Sequence, residues 1–170
     1  SRLDQFASVA NKMAIQTAES KGLAYGANNA PTIEDIELAK RIGAPVELPG
    51  DASSFSVFQR AAHKGGLSVA ASRYEVAGRQ AIAQEFAAAS VDTTLSPTDL
   101  RGKFDSVINE YTTAFSSVSP SESAAMQKSL SMVAASNLQT YTRTFASNQI
   151  KQNKARAVSE SSVITQDAVN

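Results

Sequence analysis

Few residues in this chain are equipped for chemistry. His63 is the only histidine, and cysteine is absent. A metal centre built on imidazole therefore has one such ligand at most, and thiolate sites and disulfides are excluded. His63 stands beside Lys64 and Gly65-Gly66. That glycine pair is no phosphate cradle, because it lacks the GxxxxGK[ST] spacing and follows no strand. A surface histidine beside a helix kink accounts for the whole group. Glu34, Asp35 and Glu37 crowd a helix start, where the positive end of the helix dipole explains them without catalysis. None of the many serines lies in a GxSxG nucleophile elbow. Gly22-x-x-x-Gly26 is a small-residue packing pattern, a weak signal outside a membrane. With no acid–base pair or metal cluster in view, the expectation is a protein that is not an enzyme, with no catalytic, cofactor or metal residues to assign.

One stretch is locally basic: Arg143, Lys151, Lys154 and Arg156. Such a run suits contact with DNA or an acidic partner. It also suits a solvated helix end whose cations complement the dipole. The second reading is favoured, because no stacking aromatic follows Phe145. The chain carries 16 basic and 16 acidic residues, so bulk charge argues for neither nucleic acid nor an anionic membrane. Direct DNA binding is not expected.

The elements that would hold these residues are helical throughout. Ser96-Pro97-Thr98-Asp99 and Ser119-Pro120-Ser121-Glu122 share one start signal. Serine takes the N-cap, proline the first helical position, and the acid reaches back to the cap amide. From the first start, Leu100, Phe104, Val107, Ile108, Tyr111 and Phe115 form one stripe. From the second, Met126, Leu130, Val133, Ala134, Leu138, Tyr141 and Phe145 form another. A third runs through Leu67, Ala70, Ala71, Tyr74, Gly78, Ala81, Ile82, Phe86 and Ala89, in a helix expected to begin near Phe55 under Ser53 or Ser54 and end near Ser90. Connectors at 91–96 and 116–119 are short enough to make these three helices antiparallel neighbours.

Earlier, Leu3, Phe6, Ala10, Met13 and Thr17 repeat in steps of three and four along a first helix, expected to end near Glu19–Lys21 with Gly22 and Gly26 as punctuation. Thr32 and Asp35 open a short helix that Gly43 closes. No run alternates with period two over strand length. The fold class is therefore all-α, an antiparallel helical bundle of about four to five helices, long in the second half. Residues 1–50 are expected to hold the N-terminal helix, short helix and linker. The bundle follows over 51–158, and a polar tail, 159–170, should fray.

Alanine and serine make up roughly 30% of the residues, well above ordinary usage. Seams of small side chains bury little area each, so such a chain gains from partner subunits. The longest uncharged helical stretch, 129–142, is too short and polar to span a bilayer. The chain opens on Ser1 with no n-region ahead of an apolar core, which reads as a soluble fragment of a longer or processed polypeptide without a signal peptide. Past Phe145 the apolar stripe thins while helix formers persist. That segment is expected to await a partner, with Arg143, Ile150, Lys151, Lys154 and Arg156 at the contact.

Several of these segments, in this order, resemble a class of tailed-bacteriophage virion proteins. The opening Arg2-Leu3-Asp4-Gln5-Phe6-Ala7 and the stretch Ala18-Glu19-Ser20-Lys21-Gly22-Leu23-Ala24-Tyr25-Gly26 look like that family's first helix and its glycine-ended turn. Phe58-Gln59-Arg60-Ala61-Ala62, Tyr74-Glu75, Lys103-Phe104-Asp105 with Tyr111, and Val118-Ser119-Pro120 continue the likeness over most of 2–157. The resemblance implies an internal virion, ejection or tail-associated structural protein, located in the virion. It further implies a homo-oligomer packed against copies of itself and a tail, portal or core component. A helical interaction module or flagellin-like filament protein outside phages is the alternative on composition.

Overall fold

The computed structural model describes residues 1–92 and 94–169. Of the expected connector and tail, Thr93 and Asn170 lie outside that range. Five helices follow one another, α1 Arg2–Asn28, α2 Ile33–Ile42, α3 Val57–Val91, α4 Pro97–Ser116 and α5 Pro120–Val169, with no strand among the described residues. The all-α fold and the helical bundle stand as the pattern predicted.

Local chemistry starts most of these helices. The Ser96 hydroxyl accepts from the Asp99 amide at 3.1 Å, and the Asp99 carboxylate accepts from the Ser96 amide at 3.4 Å. Thr32 and Asp35 make the same reciprocal pair at 3.2 and 2.9 Å. The Ser119 hydroxyl accepts from the Glu122 amide at 3.3 Å. Each bond satisfies an amide that the first turn leaves without a helical partner. Gly43 ends α2 in the left-handed region at φ 70°, where only glycine avoids a Cβ penalty.

α3, α4 and α5 form the bundle. α4 runs antiparallel to α3, with Tyr74 beside Tyr111 and Phe115, and Lys103 3.7 Å from Glu85 further along. α5 runs antiparallel to α4, where the Ser123 hydroxyl donates to the Thr112 carbonyl at 2.6 Å. Phe104, Phe115, Ile82, Leu100 and Leu130 are fully buried between them, joined by Ile36 from α2. The Tyr141 hydroxyl donates to the Leu95 carbonyl at 2.7 Å, which ties α5 to the loop between α3 and α4.

Several boundaries differ from the sequence expectation. α1 does not stop at Lys21 but runs through both glycines to Asn28. α3 starts at Val57 under a Ser56 cap, which leaves Phe55 fully exposed in the preceding loop. Gly65-Gly66 lies inside α3, which continues through the pair as one helix. Residues 159–169, expected as a polar tail, continue α5 as exposed helix. No glycine or proline follows Pro120 to end it, and Ala155, Arg156, Ala157, Glu160 and Gln166 keep helix propensity up.

Candidate interaction surfaces

The first surface is internal, and glycine builds it. Among the described helices α1 packs on α3 alone. A Cβ added at Gly22 would stand 2.5 Å from the Phe58 carbonyl oxygen and 2.8 Å from the Ala61 Cβ. One added at Gly26 would collide with the Ala62 carbonyl and stand 2.8 Å from the Gly66 amide nitrogen. Gly65 in turn meets the Leu23 backbone. The Gly22-x-x-x-Gly26 pattern therefore meets Ala61-x-x-x-Gly65 and Ala62-x-x-x-Gly66 across a helix crossing close enough for backbone to touch backbone. The glycines first read as a helix end and a kink are this contact. The signal available was the matching small-x-x-x-small spacing on two separate helices.

The pairing also fixes direction. Gly22 faces Phe58 and Ala61, Gly26 faces Ala62, and the Arg73 guanidinium donates to the Ala30 carbonyl at 3.3 Å. Numbers rise together, so α1 runs parallel to α3. α5 is parallel to α3 too: the Arg79 guanidinium donates to the Ser129 hydroxyl at 2.6 Å, and Tyr141 reaches the loop after α3. The free part of α1 precedes the start of α3, and the free part of α5 follows its end. The two segments project from opposite ends of the bundle. Every residue from Ser1 to Thr17 and from Ala146 to Ala168 is exposed. At 1.5 Å per residue these are about 25 and 35 Å of exposed helix.

The second surface is the free part of α5, which carries most of the residues singled out from sequence. Arg143, Ile150 and Lys154 recur at i, i+7 and i+11 and share one side of the helix. Lys151 falls to one flank of that side and Arg156 lies roughly 140° round the helix, towards the opposite face, so the five do not form one patch. Ile150 is 55% exposed. Arg143 lies nearer the bundle, on a groove of about 490 Å³ between α4 and α5 lined also by Arg101, Phe104, Asp105 and Leu138. Neither Arg101 nor Arg143 is paired with an acid among the described residues.

Asp35 and Asp92 have carboxyl pKa values below the usual range because neighbouring cap and turn groups donate to them, Thr32 for the first and Thr94 for the second. Burial, with Tyr111 next to it, pushes the Tyr74 phenol up to about 12. Among the described residues no three His, Cys, Asp or Glu side chains are placed to hold a metal, and no helix is long and apolar enough to cross a membrane.

Comparison with protein-family models, with curated proteins and with solved structures gives no match.

Proposed function

We propose that this chain is a non-enzymatic structural subunit of a tailed-phage particle, in the internal core or tail, working as a homo-oligomer against tail, portal or core neighbours. The observation that carries the structural part is the pair of uncovered helices at opposite ends of the bundle. In a protein most helical stability comes from a packed face, and a helix end without one is marginal in water. Projecting helices of this length suit a subunit whose neighbours complete it. The likeness of 2–157 to phage virion proteins supplies the particle. The free part of α5 is the candidate contact for a neighbouring subunit, through Ile150, Lys151, Lys154 and Arg156, with Arg143 at its base.

Mass spectrometry of purified phage particles tests this directly. The protein is expected among the virion components at a stoichiometry above one copy. Its absence from particles, together with a free monomer in the infected cell, would overturn the proposal.

A further inference from the structure

The groove between α4 and α5 and the far end of α5 lie on one side of the same helix. From α5 the groove is lined by Ser131, Ala135, Leu138 and Thr142. The same steps of three and four continue through Gln149, Asn153 and Arg156 to Glu160, Ile164 and Asp167, so Asp167 stands about ten turns beyond Ser131 at the same angle. The two ends of this face carry opposite charge. Arg101 and Arg143 line the groove, and at the far end Glu160 and Asp167 flank Val163 and Ile164, both exposed. None of the four charged groups is paired among the described residues. Spacing matches as well as sign. Glu160 and Asp167 are two turns apart, about 10 Å. Thr112 stands beside Ser123 and Leu95 beside Tyr141, which sets Arg101 on α4 roughly level with Ser136 on α5, two turns before Arg143.

We propose that α5 pairs with the α5 of a second copy, antiparallel about a two-fold axis near Lys151 and Gln152, so that the last turns of each copy lie in the other's groove between α4 and α5. This deepens the homo-oligomer reading above and rests on it. In this register the partner's Glu160 is level with Arg143 and the partner's Asp167 with Ser136, hence with Arg101. The partner's Ile164 falls level with Gln139, beside Leu138 on the groove. The cations in the middle meet no like charge at their own level: Lys151 is level with the partner's Gln152, Lys154 with the partner's Gln149 and Arg156 with the partner's Ser147. Length fits too, because the exposed part of α5 spans from its own bundle to the partner's, and both copies' exposed segments are covered at once. A two-fold pairing closes on itself. The parallel, in-register alternative would set Arg143 against Arg143 and Glu160 against Glu160, and like charges across the pair disfavour it.

Sedimentation of the intact chain over a range of concentrations tests the pairing. The unmodified protein is expected to dimerise. Glu160→Lys with Asp167→Lys should weaken the dimer about tenfold or more, and Arg101→Glu with Arg143→Glu should do the same, because either pair sets like charges together in both grooves. All four positions are exposed, so folding is not at stake. Mixed one to one, the two variants should associate as the unmodified chain does, since only the mixed pair sets acid against cation throughout. The chain has no cysteine, so Gln139→Cys with Ile164→Cys supplies its only thiols. They stand about 37 Å apart along one helix and cannot meet within a chain. Mild oxidant should link them between two copies as a closed dimer, while Gln139→Cys with Ser162→Cys, whose second thiol faces away, should stay unlinked. A monomer at every concentration, no recovery on mixing, or equal cross-linking by both cysteine pairs would overturn the pairing. If the chain is monomeric yet present in particles, only the pairing fails. If it dimerises through α5 yet is absent from particles, only the virion reading fails.

Discussion

Gly26→Ala adds one methyl group to a surface that has no room for it. The new Cβ would collide with the Ala62 carbonyl and stand 2.7 Å from the Ala62 carbonyl carbon and 2.8 Å from the Gly66 nitrogen. All three are backbone atoms of α3, so no side-chain rotation relieves the clash and the two helices must separate. Overpacking of this kind costs about 1–3 kcal/mol. Against it stands the helix propensity of alanine over glycine, a gain of about 1 kcal/mol in a helix interior. Gly102→Ala is the control. It sits in α4 with nothing within 4 Å of its added Cβ, so only the propensity gain remains. The two substitutions should therefore move stability in opposite directions. For a domain of this size 1 kcal/mol shifts Tm by roughly 2–4 °C. Among the described helices α1 touches only α3, so its release need not melt the bundle. Amide hydrogen exchange across 22–28 reads that release and complements thermal denaturation. If Gly26→Ala stabilises like Gly102→Ala and leaves those amides protected, the close crossing of α1 and α3 is wrong.

Phe104, 1% exposed at the centre of the bundle, should cost about 3–5 kcal/mol on truncation to alanine in urea denaturation, and a loss below about 1 kcal/mol would contradict its burial. Ser96→Ala should lose about 1 kcal/mol, because it frees the Asp99 amide, and no measurable change would contradict the cap. Asp35 titrates below its ordinary value because the Thr32 backbone amide, then its hydroxyl, donates to the carboxylate. Its contribution is therefore complete above the unfolded carboxylate pKa and lost as pH falls through the lower folded one. NMR titration should place its midpoint below that of Asp35 in the Thr32→Ala variant, which keeps the backbone donor, and equal midpoints would refute the share assigned to the Thr32 hydroxyl.

The parts legible in the sequence are those whose cause is local. Ser96, Pro97 and Asp99 carry a complete start signal within four residues, and the structure closes the bonds they imply. The buried residues of the three bundle stripes are largely the apolar residues that recur at the helical period, because an amphipathic helix has one way to hide them. Glycine was harder. At Gly22 and Gly26 it serves close approach to another helix, and at Gly43 it serves a left-handed helix end. Single-helix reasoning does not separate the two uses. The stripe from Leu3 to Thr17 exposes a related limit: period identifies which face is apolar and leaves open what covers it. The same holds beyond Phe145, where helix propensity continues and packing within the chain does not.

Order gained from neighbours is the claim on which the rest depends, and hydrogen exchange measures it. In the isolated chain the amides of 146–158 should exchange fast, since every residue of the segment is exposed. In the assembled particle the same amides should exchange slowly. Equal protection in both states would show that the segment is held by its own chain, and the contact through Ile150, Lys151, Lys154 and Arg156 would have no support.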